Sequence, residues 1–274
     1  MTKKWKSIDE RVRIAPGEKA ILKDRDTVGG DLFPDRKQAE DQLIEDAKAI
    51  DALQDRLWAE RTRALLVVLQ GIDTSGKDGA VRHVFGSCGP LGVSVTAFGI
   101  PSSEEAAHDF LWRVHLAAPK KGMLGVFNRS QYEDVLIVKV KRLVAPDAIE
   151  RRYQQINEFE RMLTENGTTV LKFMLHLSKD EQRQRLQERL DKPAHNWKFN
   201  AGDLEDRKLW RDYERAYEIM LERCSTQYAP WRVIPADKKW RRNAIIAAIV
   251  RGALEEMDPQ YPKPAWKPSD FKIE

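Results

Sequence analysis

A short stretch of glycines around a lysine is the clearest candidate for chemistry in this sequence. Residues 71–79 read Gly-Ile-Asp-Thr-Ser-Gly-Lys-Asp-Gly, after an apolar run and before a helical pattern. Glycines let backbone N–H groups curl around an anion, and the start of the following helix adds positive potential. We therefore predict a phosphate-binding loop with Lys77 against the terminal phosphates. The predicted phosphate contacts in and after the loop are Gly71, Thr74, Ser75, Gly76, Lys77, Asp78, Gly79 and Arg82.

The loop carries an acidic residue where phosphates are expected to bind. Asp73 lies between the glycines, and Asp78 stands where loops of this kind usually have a Ser or Thr hydroxyl for Mg²⁺. Two unit charges of the same sign repel by about 4 kcal/mol at 4 Å and an effective dielectric of 20. We therefore expect Asp73 to bind a metal ion or to act as a general base. The alternative is that Asp73 caps the turn through its own backbone.

A second polar segment, residues 127–134, begins where a predicted strand ends. Ligands of open α/β sheets bind outside the carboxyl ends of the strands. Arg129 is a natural phosphate clamp there, while Asn128 occupies the position that often holds a metal-binding aspartate. Glu133 and Asp134 are candidates to hold Mg²⁺ through water. They are equally typical of the solvated first turn of a helix, where acidic residues are favoured.

A charged segment at about residues 191–211 follows the fourth predicted strand and its helix. It contains Lys192, Lys198 and Arg207 among interleaved acidic residues, with Trp197 and Phe199 between them. Beside a phosphate loop, such a segment is expected to be a lid whose cations bind donor phosphates, Lys198 and Arg207 among them. Taken alone, the same run of charges is typical of a solvated, salt-bridged face.

The elements that must position these residues alternate along the chain. Strands are predicted at residues 64–69, 93–98, 123–127, 169–177 and 231–234. Helices are predicted between them, two of which begin at Ser-x-x-Glu capping boxes, at Ser102 and Ser178. The pattern predicts an α/β fold with a mainly parallel five-stranded sheet covered on both faces. Residues 1–35 are expected to form an extended arm, residues 36–260 the domain, and residues 261–274 a loosely packed tail.

Composition narrows the class of protein. The 274 residues are 42% hydrophobic and 33% charged, with a formal net charge of +4. The two cysteines, Cys88 and Cys224, are far apart and have no metal-ligand spacing, so a reducing compartment fits. No apolar segment is long enough to cross a bilayer, and none follows the basic N-terminus as in a signal peptide. We expect a cytoplasmic protein that does not bind membranes.

Taken together, the motifs resemble the polyphosphate kinase 2 family. The loop with its aspartate before the lysine and no Ser or Thr after it resembles the Walker A variant of that family. Phe-Asn-Arg-Ser-Gln-Tyr-Glu-Asp-Val at residues 127–135 resembles its second motif, and residues 197–199 and 202–207 resemble its lid. The likeness runs from about residue 36 to residue 260.

The resemblance implies a three-layer α/β/α P-loop kinase fold with a helical lid, like that of thymidylate kinase. It implies inorganic polyphosphate as donor, Mg²⁺ as cofactor with Mn²⁺ as a substitute, and a homodimer or homotetramer. The form of the second motif resembles the subgroup that phosphorylates both AMP and ADP, which yields ADP and ATP. The implied catalytic residues are Asp73, Lys77 and Arg129; the nucleotide contacts are Asn128, Tyr132 and Glu133; the metal contacts are Asp73, Asn128, Glu133 and Asp134.

Two other functions fit parts of the pattern. One is an ATP-dependent kinase of small molecules or nucleoside monophosphates, which would need a tight pocket for a second small acceptor. The other is a nucleotide-gated module that holds nucleic acid with its basic lid. The second lacks a recognisable nucleic-acid-binding motif, so we expect no nucleic-acid partner.

Overall fold

The computed structural model describes residues 4–273, and its centre is a parallel sheet of five strands. The strands are Ala64–Gln70 (β1), Val93–Ala97 (β2), Leu124–Asn128 (β3), Thr168–His176 (β4) and Trp231–Pro235 (β5). Their order is β2-β3-β1-β4-β5, with Leu65 of β1 opposite Leu124 on one side and Thr169 on the other. The predicted α/β class and the five-stranded sheet are confirmed.

Eleven helices in the described chain cover the sheet. They are Lys4–Val12 (α1), Arg36–Glu60 (α2), Lys77–Phe85 (α3), Ser103–Ala107 (α4), Trp112–Ala117 (α5), Ile137–Val140 (α6), Pro146–Glu165 (α7), Lys179–Asp191 (α8), Gly202–Lys208 (α9), Trp210–Cys224 (α10) and Lys239–Met257 (α11). Short 3₁₀ helices lie at Leu22–Asp24, Gln131–Asp134, Pro193–Lys198 and Pro268–Asp270.

The two faces of the central strand enter two hydrophobic cores. Leu65, Val67 and Leu69 pack with α1, α2, α3 and α11, while Leu66 and Val68 pack with α5, α7 and α10. Successive side chains of a strand point to opposite faces, so an entirely apolar strand is required where both faces are covered. This arrangement is the three-layer α/β/α architecture that the family resemblance implied.

The N-terminal segment differs from the extended arm that the sequence predicted. Residues 1–3 lie outside the described chain, but α1 follows directly and packs on α11 with Ile8 and Val12 buried. Ile14 and Leu22 are also buried, in the core of the other face. Asp9 is 1% exposed and forms ion pairs with Arg232 of β5 and with Arg13. The segment is thus part of the packed body, because it contributes apolar side chains to both cores.

Three helices also differ from the prediction. The helix after Ser102 ends at Ala107 and restarts at Trp112, because the Asp109 carboxylate accepts the N–H of Leu111 and forms a turn between them. The Ser102 capping box is present. At Ser178 only half of the box forms, because the Glu181 carboxylate binds Arg185. Helix α10 was not predicted. The C-terminal residues Trp266 and Phe271 are exposed.

No helix within residues 4–273 has the length and apolar character needed to cross a membrane.

Candidate active site

The phosphate loop connects the end of β1 to the start of α3. Gly71 has φ +157° and Gly76 has φ +97°, and Thr74 also adopts a left-handed conformation at φ +69°. The N–H groups of Gly76, Lys77 and Asp78 donate to no oxygen of the described chain. The buried hydroxyls of Thr74 and Ser75 likewise have no hydrogen-bond partner among the described residues. Buried donors without protein partners are what an anionic ligand satisfies.

Lys77 lies inside the loop. Its side chain is buried, and Nζ donates to the carbonyl oxygens of Gly71 at 2.6 Å and of Ile72 at 3.3 Å. Burial lowers the pKa of Lys77, although the nearby carboxylate of Asp73 acts in the opposite direction. The carbonyl contacts hold the ammonium group at the place where phosphates would approach the loop.

Asp73 and Arg129 form an ion pair across the ends of β1 and β3. Arg129 Nη2 lies 2.6 Å from Asp73 Oδ1, and Arg129 has φ +63°. Burial raises the pKa of Asp73, but Lys77 and Arg129 outweigh it and hold this pKa below its ordinary value. The carboxylate therefore stays ionised and has cationic partners within the protein.

The other acidic and amide candidates have partners nearby. Asn128 Nδ2 donates to Asp78 Oδ1 at 2.7 Å. The Glu133 carboxylate accepts a short hydrogen bond from Gln70, and burial raises its pKa although Arg129 and Lys77 favour the ionised form. Asp134 Oδ1 lies 3.2 Å from Arg152 Nη1. Asp134 is thus held by an arginine of α7, while Glu133 belongs to the electrostatic surroundings of Asp73 and Lys77.

Tyr132 lies in the core. Its ring is fully buried and stacks edge-on against Trp231 at 4.7 Å between centroids. Its hydroxyl donates to Glu160 Oε1 at 2.7 Å and accepts from Lys172 Nζ at 2.8 Å. Tyr132 was predicted as a nucleotide contact, but it lines neither of the two cavities that adjoin Asp73 and Arg129, and this buried network uses its hydroxyl.

Two cavities adjoin the ion pair of Asp73 and Arg129. One cavity, of about 550 Å³, is lined by the phosphate loop and by several lysine and arginine side chains. We call it the donor-side cavity, because phosphates are expected to bind at this loop. The acceptor-side cavity, of about 410 Å³, has apolar and aromatic walls that include Ile100, Tyr213 and Tyr217. Residues that line both are Asp73, Phe98, Arg129, Asn200 and Asp203. Two ligands, one polyanionic and one with an apolar ring, would therefore meet at Asp73 and Arg129.

The donor-side cavity brings together most of the predicted residues. Those that line it are Asp73, Thr74, Gly76, Lys77, Asp78, Gly79, Asn128, Arg129 and Lys198. Gly71, Glu133 and Asp134 line the acceptor-side cavity. Three predicted phosphate contacts line neither: Ser75 is buried beneath the loop, Arg82 is exposed, and Arg207 donates to Lys179 O and Gln182 Oε1.

Several residues of the two cavities were not predicted as site residues. Arg189, Lys239 and Arg242 line the donor-side cavity, and Arg113 and Lys141 line the acceptor-side cavity. Arg185 donates to Thr74 O at 2.9 Å and to Ala236 O at 2.7 Å, so it ties the phosphate loop to the segment that follows β5. A signal for Arg185 and Arg189 exists in the sequence, because they belong to a run of charged residues, now seen as α8, directly before the lid.

Comparisons with known proteins agree with this geometry. Residues 34–262 match the family model described as Polyphosphate kinase 2. An AMP/ADP-polyphosphate phosphotransferase of Meiothermus ruber is 49% identical over 97% of this chain and 100% of its own length. An ADP-polyphosphate phosphotransferase of Rhodopseudomonas palustris is 38% identical over 93% of this chain and 92% of its own.

A solved structure extends the comparison to the whole fold. The crystal structure of polyphosphate kinase 2 from Arthrobacter aurescens superposes with a TM-score of 0.92 at 41% identity, covering 96% of this chain and 94% of that one. The resemblance inferred from three motifs is thereby confirmed along nearly the entire length. The chain belongs to the polyphosphate kinase 2 family.

Proposed function

We propose that this protein transfers phosphoryl groups from inorganic polyphosphate to AMP and ADP, forming ADP and ATP. The observation that supports it best is the meeting of two unlike cavities at Asp73 and Arg129. The names of the Meiothermus ruber and Rhodopseudomonas palustris relatives describe the same reaction class.

The donor-side cavity suits a polyphosphate chain. The phosphate loop offers unpaired N–H groups, and Lys77, Arg129, Arg189 and Lys198 contribute positive charge to the walls. Charge-assisted hydrogen bonds from guanidinium and ammonium groups are the strong contacts for phosphate oxygens. No base-sized apolar surface is needed on this side, because the donor carries only phosphates.

The acceptor-side cavity suits a nucleotide. Tyr213, Trp210 and Ile100 supply apolar surface for a base. The cationic side chains of Arg113 and Lys141 can balance the negative charge of the α-phosphate. An acceptor held there would present its terminal phosphate toward Asp73 and Arg129. Ordered placement of both reactants, together with electrostatic stabilisation of the transferred group, is the main contribution that a protein makes to phosphoryl transfer.

The acidic residues near the loop fit a divalent metal, Mg²⁺ or Mn²⁺. Within residues 4–273, no three His, Cys, Asp or Glu side chains lie close enough to hold a metal among themselves. Mg²⁺ is commonly held by one or two carboxylates together with substrate phosphates, and the ionised Asp73 with Glu133 meets that description. Bound there, the metal would neutralise charge on the phosphates.

The chemical step is an in-line displacement. A terminal phosphate oxygen of AMP or ADP attacks the terminal phosphorus of polyphosphate, the bond from that phosphorus to its bridging oxygen breaks, and the shortened chain departs. Arg129 stabilises the transferring group, since it lines both cavities, and Asp73 orients the acceptor oxygen. Lys77 holds the donor against the loop.

A product assay tests this function. The wild-type chain should convert AMP to ADP and ATP with polyphosphate in a Mg²⁺-dependent reaction. Lys77→Ala and Arg129→Ala should each cut turnover about a hundredfold, the effect of losing about 3 kcal/mol of transition-state stabilisation. Absence of nucleotide products with polyphosphate, together with efficient transfer from ATP to another acceptor, would favour the ATP-dependent small-molecule kinase instead. We further propose the homodimeric or homotetrameric state that the family resemblance implies, and a cytoplasmic location.

A further inference from the structure

Arg242 lies beneath the phosphate loop, on the first turn of α11. Its side chain is only 2% exposed, yet it reaches the wall of the donor-side cavity. Nη1 donates to Ser75 O at 3.0 Å, and Nε and Nη2 donate to Asn243 Oδ1 at 3.1 and 2.8 Å. A guanidinium has five N–H donors, so donors remain after these three bonds.

The charge of this arginine is not balanced by the protein. Among residues 4–273, no carboxylate lies within ion-pair distance of Arg242, whereas the buried Arg232 is paired with Asp9 and Arg185 with Glu181. Burial and the nearby Arg185 lower the pKa of Arg242 to about 9. An unpaired buried charge is costly for folding, so a ligand that balances it would bind favourably.

The guanidinium of Arg242 packs closely against two glycines of the phosphate loop, Gly76 and Gly79. A Cβ atom on Gly76 would lie 1.7 Å from Arg242 Nη1, and one on Gly79 would lie 2.9 Å from Nη2. The C=O and N–H of a trans peptide point in opposite directions. Because Arg242 and Arg185 bind the Ser75 carbonyl from below, the N–H of Gly76 is directed to the opposite side, where it donates to no protein oxygen.

We propose that Arg242 is a positioning residue for the polyanionic donor, whose phosphates balance its buried charge through the loop that it supports. This inference rests on the proposed function, because it requires a polyphosphate on the donor side. Arg242 lines the donor-side cavity and not the acceptor-side cavity, so we expect no contact between Arg242 and the acceptor nucleotide. Selective weakening of donor binding therefore distinguishes it from a general structural role.

Three variants test the assignment by calorimetric binding of inorganic polyphosphate and of AMP, with the unfolding midpoint measured in parallel. Arg242→Gln should weaken polyphosphate binding by about tenfold or more while AMP binding and the ligand-free midpoint are maintained. Arg242→Lys keeps the charge and should recover most of the affinity. Arg241→Gln is the matched control, because the neighbouring Arg241 is also buried but donates to Phe33 O and Val28 O. It should lower the midpoint and leave polyphosphate affinity unchanged.

The outcomes separate this inference from the function on which it rests. A wild-type chain that binds no polyphosphate would refute both. A wild-type chain that binds it no better than a folded Arg242→Gln variant would refute the role of Arg242 alone, as would an Arg242→Lys variant as weak as the glutamine. If Arg242→Gln does not fold, Asn243→Ala removes the acceptor that orients the guanidinium instead and should show the same selective loss. Equal losses for both ligands in that variant would overturn the assignment.

Discussion

At the scale of single residues, the free protein already pairs the two groups that we propose for the reaction, Asp73 and Arg129. Arg129 binds Asp73 at 2.6 Å, so donor phosphates must compete with this carboxylate for the guanidinium. Asp73 cannot lose its charge easily, because Lys77 and Arg129 hold its pKa below the ordinary value against the effect of burial. The ion pair therefore keeps both side chains in place between the two cavities.

The placement of Tyr132 in the core, away from the nucleotide, can be tested by mutation. Tyr132→Phe removes a hydroxyl that bonds Glu160 and Lys172, while leaving those two paired with each other. The free energy of unfolding should fall by about 1 kcal/mol, the net value of a typical buried hydrogen bond, and the KM for AMP should not change. Denaturant unfolding and steady-state kinetics measure the two.

A comparison variant makes that test decisive. Tyr213→Ala removes part of the wall of the acceptor-side cavity and should raise the KM for AMP. If Tyr132→Phe raised that KM as much as Tyr213→Ala, with stability intact, Tyr132 would be a nucleotide contact after all.

The residues that sequence reasoning found and those that it missed differ in one respect. Asp73, Lys77 and Arg129 stand in contiguous motifs at strand ends, where type and spacing carry the information. Arg242 and Arg113 come from helices distant in the chain, and only the parallel order of the strands brings them to the site. No local pattern in one sequence encodes that approach.

At the scale of elements, the charged side chains of the lid between α8 and α10 have different roles. Lys198 and the 78%-exposed Trp197 line the donor-side cavity, with Lys198 Nζ 4.9 Å from the Trp197 ring centroid. Arg189 and Asp203 hold the lid together at 2.9 Å. Arg207 attaches α9 to α8. Only part of the charged run therefore faces the donor.

Lys198→Gln tests the donor-facing part of the lid. The KM for polyphosphate should rise by about threefold to tenfold, and its dependence on salt should flatten, because an exposed cation attracts a polyanion through a screened field. Lys208→Gln is the matched control, since Lys208 pairs with the exposed Glu205 and neither of these two residues lines a cavity. Steady-state kinetics at several ionic strengths measure the KM for polyphosphate and its salt dependence in both variants. If the two variants gave the same values, Lys198 would be an ordinary solvated surface residue and not a donor contact.

Element boundaries could be predicted wherever the hydrophobic pattern was strong. All five strands appear within one residue of their predicted limits. For β1 and β4 the reason is that both faces are buried, so their apolar runs are continuous. Helix α10 was missed although Ala216, Met220 and Cys224 form a stripe at four-residue steps. Only its first residues, Trp210 and Arg211, lie within the charged run that was read as lid. Tertiary contacts, which one sequence does not show, decide where that lid ends.

At the scale of the whole molecule, the N-terminal segment stabilises the body. Asp9→Ala would leave Arg232 buried at the edge strand without its carboxylate partner. Breaking a buried pair from one side costs about 3 kcal/mol or more, so the free energy of unfolding should fall by that amount while turnover per folded molecule is kept. Lys6→Ala is the control, because its pair with Glu256 is half exposed and should contribute little. A stability of Asp9→Ala close to that of Lys6→Ala would contradict the packed arrangement.

His176 links the N-terminal segment to the sheet and makes stability depend on pH. Its Nε2 lies 3.2 Å from Arg25 O, and burial lowers its pKa below the ordinary 6.5. The unfolded chain therefore binds a proton more readily, and the contribution of this residue to stability falls as pH drops below about 6.5. His176→Gln should lose less stability than the wild type between pH 7 and roughly pH 5, as measured by denaturant unfolding. An identical loss in both proteins would show that His176 does not titrate differently on folding.

The most direct test of the whole account is Asp73→Asn, measured for turnover and for substrate binding together. The change keeps the shape of the side chain and removes its charge. We expect turnover from polyphosphate to AMP to fall by about a hundredfold or more, while polyphosphate still binds, and binds more tightly without metal because Arg129 is released from its partner. Asp78→Asn is the control in the same loop, since Asp78 pairs with Asn128, and it should lose less than about tenfold. An Asp73→Asn enzyme that turns over at nearly the wild-type rate would contradict the placement of the reaction between the two cavities.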